Sequence, residues 1–163
     1  MIDGTATGQG GVGAGGGTST TSTTTHAGGQ GGGPLTISLS DVVVGINCMP
    51  QVPADPIYVT FTATYDNGSS ASASASIVGG MISLGGPPST LDWSFQVAPA
   101  TVGPVSANSS LQLGHAKVDG SGSGGGSPCN FCGSPSALLE IDYLVNGQYS
   151  VVATGSGPVG CAL

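Results

Sequence analysis

Four stretches of this chain alternate apolar and polar residues with a period of two. Leu35, Ile37 and Leu39 are interleaved with Thr36, Ser38 and Ser40, and Ile57, Val59, Phe61, Ala63 and Tyr65 with Tyr58, Thr60, Thr62 and Thr64. Leu91, Trp93, Phe95 and Val97 repeat the pattern, as do Leu139, Ile141, Tyr143 and Val145. Side chains point to opposite faces at successive strand positions, so each stretch reads as a half-buried strand with one apolar face. No segment keeps a helical period beyond one turn, and Lys and Arg, good helix formers, total one residue. About eight short strands with frequent Gly and Pro between them predict an all-β fold. The expected architecture is a single antiparallel β-sandwich, jelly-roll or Ig-like, over residues 35–163, preceded by an extended Gly/Thr-rich N-terminal arm over residues 1–34.

Two Asn-Gly pairs read as hairpin turns, because both residues tolerate the positive φ of a type I′ turn. Asp66-Asn67-Gly68 would join the strand ending at Tyr65 to one over Ser70–Val78, and Asn146-Gly147 would join Val145 to Gln148–Thr154. Within the first of these, Ser72-Ala73-Ser74-Ala75-Ser76 is a strand of small side chains that lets another backbone approach closely. The Gly/Ser-rich stretch at 120–128 reads as a loop between a strand over Leu111–Val118 and the last hairpin.

The arm is glycine, threonine and serine with little else. Fixing each such residue costs about 1–2 kcal/mol of backbone entropy and yields no core. The Thr18–Thr25 run favours β-structure once it has a partner. The expectation is that residues 1–33 make backbone hydrogen bonds to other chains more than to their own domain.

Charge excludes several classes. The formal net charge is −7, charged residues are 6% of the chain, and Lys117 is the one cation among Lys and Arg. Nucleic-acid binding needs a basic face, an anionic membrane surface would repel this chain, and a phosphate substrate would lack a cationic clamp. Residues 1–20 have neither the basic nor the apolar region of a secretory leader, and no stretch reaches the ~20 apolar residues of a membrane span. Met1-Ile2 reads as a native start.

The four cysteines are Cys48, Cys129, Cys132 and Cys161. Cys129-Asn130-Phe131-Cys132-Gly133 has the form of a metal knuckle, which Cys48 and Cys161 could complete as one structural Zn site, with His26 or His115 as substitute ligands. The rival is two long-range disulfides, each joining one knuckle cysteine to Cys48 or Cys161. His115 reads as a surface residue on a polar strand face. Glu140 and Asp142 read as the solvated side of an amphipathic strand. Asn67 and Asn108 each begin an N-x-Ser triplet, a chance match in a Ser-rich chain. No nucleophile motif and no phosphate loop is present.

The expected function is therefore non-enzymatic: a structural subunit of a large assembly, in a virion (a capsid decoration, fibre or tail component, as in a phage) or outside a cell, anchored through its arm to other protein subunits, with no nucleic-acid or membrane partner and no cofactor beyond that one candidate Zn. The alternatives are an extracellular filament subunit and a carbohydrate-binding or adhesion module presenting Tyr58, Tyr149 or Trp93 to a sugar.

Overall fold

The computed structural model describes residues 21–24, 35–49, 54–86, 89–124 and 126–162. Ten strands follow in order: β1 (Thr21–Thr24), β2 (Leu35–Asn47), β3 (Ile57–Asn67), β4 (Ala73–Gly86), β5 (Ser89–Ala98), β6 (Thr101–Val105), β7 (Ser109–Gly124), β8 (Ala137–Val145), β9 (Tyr149–Gly157) and β10 (Val159–Ala162). A 3-10 turn, Pro128–Phe131, precedes β8. All-β is thus the class. The two facing sheets of a sandwich are replaced by one ten-stranded mixed sheet in the order β1-β9-β8-β4-β5-β7-β3-β2-β10, with β6 paired to β4. The sheet curls into a half-barrel, and its concave face holds the core. Among the described residues only β10 runs parallel to its neighbour, β2.

The expected apolar phases all point inward: Ile57, Val59, Phe61, Ala63 and Tyr65 are buried, as are Leu91, Trp93, Phe95, Val97, Leu139, Ile141, Tyr143 and Val145. Four register shifts interrupt the ladders; one lies between β4 and β6 at Ala73/Ala75, and the three in the longer strands change the phase where alternation in the sequence breaks. In β2 the register shifts between Ser40 and Val43, with Asp41 at φ 51°. Inward residues change there from Leu35, Ile37 and Leu39 to Val42, Val44 and Ile46, which leaves Asp41 in solvent. In β4 the shift between Ile77 and Gly79 expels Val78, and across β5 and β7 the shift at Gln96/Val97 expels Val118.

Two expectations are corrected. Asp66-Asn67-Gly68 is not a hairpin, since β3 pairs with β2 and β7 and not with β4. Asn67 is buried, and its amide nitrogen reaches the carbonyls of Ala71, Val105 and Ser106 at 2.8–3.1 Å. Its amide oxygen accepts from Ser69 N and Oγ. The side chain therefore ties a crossover to the β6–β7 connection. Gly120–Gly124, read as part of a loop, is the end of β7, paired with β5 from Phe95 to Leu91. A Cβ on Gly122 would lie 2.3 Å from the Trp93 ring, so the strand lacks a side chain there because the indole occupies the space.

Asn146-Gly147 is a hairpin turn as expected, with φ 50° and 68°. Asn146 N donates to Ser74 O, and Ser74 N donates to Asn146 Oδ1, which fastens the hairpin to β4. The small residues Ala73 and Ala75 are buried where β4 is flanked by β6 and β8.

Of the expected arm, Thr21–Thr24 forms β1 and pairs antiparallel with β9 of its own domain. The rest of the arm, residues 1–20 and 25–34, lies outside the described residues. The curl brings β9 against β2. Gly155 and Gly157 make that approach possible: a Cβ on Gly157 would sit 2.0 Å from Val42 O.

Candidate functional site

The four predicted site cysteines meet at one end of the sheet. Cys48 follows the last residue of β2, and its N–H donates to Ala162 O of β10. Cys161 lies in β10. Cys129 lies within the 3-10 turn and Cys132 caps its C-terminal end; Ser127 Oγ caps Cys129 N, Phe131 is buried in the core, and Gly133 takes φ 78°. Disulfides join Cys48 to Cys129 and Cys132 to Cys161, over sequence separations of 81 and 29 residues. This is the long-range pairing that the sequence offered as the rival to zinc. The two bridges touch, with Cys48 Sγ 3.5 Å from Cys132 Sγ. They staple the turn before β8 to the parallel β2–β10 pair. Among the described residues no group of three or more His, Cys, Asp or Glu side chains stands ready to hold a metal ion.

His115 is not on the surface. It continues the inward phase of Leu111 and Leu113 on β7 and is buried. Its Nδ1 lies 3.0 Å from Pro99 O, which can only accept, so Nδ1 carries the proton. Nε2 then accepts from the Tyr65 hydroxyl at 2.8 Å. Phe61 stacks on the ring at 5.2 Å. Burial pushes the His115 pKa below its ordinary value, partly opposed by the Pro99 contact, and burial pushes the Tyr65 phenol up to about 12. Tyr143 packs edge-on to Tyr65 at 5.9 Å, and burial raises its pKa too. The Tyr143 hydroxyl is buried, and the group it interacts with is the Tyr65 hydroxyl, at a geometry short of a full hydrogen bond. Both imidazole nitrogens are thus engaged inside the core. His26, the other named substitute ligand, lies outside the described residues.

Lys117 ion-pairs with Asp55, and its side chain is 4% exposed. The chain's one Lys or Arg is therefore withdrawn from the surface. Glu140 and Asp142 do face outward, on the rim of an open groove of about 640 Å³ that crosses β8, β4, β5 and β7. Gly79, Gly80 and Gly120 line it, and Asp119 adds a third carboxylate. Sequence reading missed this groove because it depends on strands far apart in the chain lying side by side. Its signal was the Gly79-Gly80 pair between the apolar residues Ile77-Val78 and Met81-Ile82 of β4.

Comparison with protein-family models, with curated proteins and with solved structures gives no match to this chain.

Proposed function

We propose that this protein is a non-enzymatic structural subunit of a large assembly, in a virion or an extracellular filament, whose partners are other protein subunits, copies of itself first among them. The observation that carries this reading is the surface. Charged residues are 6% of the chain, against roughly 25–35% on the surface of a domain that stays apart in solution. The side chain of the one Lys or Arg is tucked against Asp55 and leaves 4% of itself exposed. Tyr58, Val78, Val118, Leu138, Val43 and Met49 are exposed instead. A surface of Ser, Thr, Gly and scattered apolar groups is readily covered by protein, because few ions have to be desolvated. Among the described residues the outer edge of β10 has no strand partner and no charged residue to deter one, so it offers main-chain groups to a neighbour.

Disulfides form and persist in oxidising surroundings such as a virion or cell surface, which agrees with this setting. No helix among the described residues is long and apolar enough to cross a membrane.

The alternative, a module that binds neutral carbohydrate, rests on Tyr58, whose ring is half exposed and lies across Gly45. Trp93, once a candidate for the same surface, is buried.

Deletion of residues 1–20 tests the anchoring role of the arm. The truncated chain keeps every strand of the described residues and should stay folded, yet it should lose the higher-order species that the full chain forms. Equal assembly by both forms removes the arm from the account.

A further inference from the structure

We propose that the sulfur cluster is a redox-gated zinc site: two disulfides when oxidised, one tetrathiolate Zn centre when reduced. Two independent staples have no need to touch. Here three separated segments, the end of β2, the 3-10 turn and β10, bring all four sulfurs together, and the bridges meet at the 3.5 Å Cys48–Cys132 contact. Zn–S bonds of about 2.3 Å in a tetrahedron place neighbouring sulfurs about 3.8 Å apart. One edge of that tetrahedron is therefore nearly formed between the bridges. Within each bridge the Cα atoms are 5.8 and 5.6 Å apart, so rotation of the side chains opens the pair without moving strands.

The four positions are also held by interactions other than the sulfur bonds. Phe131 anchors the turn in the core, and Ser127 Oγ caps it. Cys48 N is bonded to Ala162 O, and Cys161 is paired in register with Ile46. When the bridges open, these contacts oppose the separation of the cysteines, at the cost in stability that the lost bridges carry. Cys129 and Cys132 supply two ligands from one turn, with Gly133 completing it in the left-handed region at φ 78°.

The chemistry balances with an external dithiol as reductant. Each disulfide accepts two electrons and two protons and becomes two thiols, while the dithiol is oxidised to its own disulfide. Zinc then displaces the four thiol protons to solvent and binds four thiolates.

The test uses the full chain, reduced with a phosphine under argon, freed of reductant and titrated with cobalt(II). The expected result is one cobalt per chain, with intense thiolate-to-metal charge transfer and the visible bands of a tetrahedral site, displaced by zinc. The oxidised chain should take none. Cys161→Ser should lower the charge-transfer intensity by roughly a quarter and weaken binding at least about tenfold. The proposal is overturned if the reduced chain shows no charge transfer, or if Cys161→Ser gives the parent's spectrum and affinity. Loss of the β circular-dichroism signal on reduction, not restored by metal, overturns it as well.

Discussion

Replacing Gly157 by Ala tests the closure of the curl. The new Cβ would lie 2.0 Å from Val42 O and 2.8 Å from Val42 C. Both obstacles are backbone, so no side chain can rotate away, and β9 must withdraw from β2 by about 1 Å, a gap that forfeits a quarter to a half of each affected contact. Leu39 and Val42, both buried, lie at that junction and lose packing together. Overpacking of this kind costs about 1–3 kcal/mol. With two backbone atoms in the way, the upper part of that range applies, about 2–3 kcal/mol, and at 2–4 °C per kcal/mol the melting temperature falls by about 4–12 °C. Gly114→Ala is the control, because nothing lies within 4 Å of its Cβ position, and it should stay within about 0.5 kcal/mol of the parent. The assay is a circular-dichroism melt without reductant. If Gly157→Ala melts with Gly114→Ala and the parent, β9 does not rest on β2, and the half-barrel is open where we describe contact.

Three further predictions concern the interior and the bridges. Tyr65→Phe leaves His115 Nε2 buried without its donor and should cost about 1–3 kcal/mol in a urea titration, more than Tyr143→Phe, which removes a hydroxyl that faces only that of Tyr65; the reverse order would show the network is misassigned. Because the folded pKa of His115 lies below its unfolded value of about 6.5, its contribution is present above that pH and is lost as pH falls through the folded pKa; urea midpoints of the parent should therefore drop below pH 6.5 more steeply than those of His115→Phe, and parallel curves would refute this. Mass spectrometry without reductant should find four hydrogens missing and peptides linking Cys48 to Cys129 and Cys132 to Cys161, and removing either bridge should cost about 2–5 kcal/mol; four alkylatable thiols in the native chain would contradict both statements.

Which residues face inward was legible from the sequence, whereas which strands lie side by side was not. Alternation along Ile57–Tyr65 and Leu139–Val145 reports a strand's own two faces, so the core residues were found. Pairing between distant strands leaves no local mark, so one curled sheet could not be told from two facing ones. The bulges at Asp41, Val78 and Val118 hid the second halves of β2, β4 and β7, because one extra residue reverses the phase. Gly120–Gly124 resembled a loop in composition, yet its missing side chains are the space that Trp93 and Phe95 fill. Asn67-Gly68 and Asn146-Gly147 share a turn signature, but the Asn67 amide is spent on three carbonyls of the crossover. His115 was within reach, since it sits two residues beyond Leu113 in the same phase, and a preference for histidine at the surface concealed it. For the sulfur cluster, the long-range character of the bridges was foreseen, but their mutual contact needed the fold.

The central claim is that the protein works by joining other subunits, and the native mass of the full chain tests it most directly. Sedimentation equilibrium over a wide concentration range, without reductant, should show species well above the 15.5 kDa of one chain, growing with concentration. A single species at 15.5 kDa throughout would contradict the account and return its bare, charge-poor surface to the sugar-binding alternative at Tyr58.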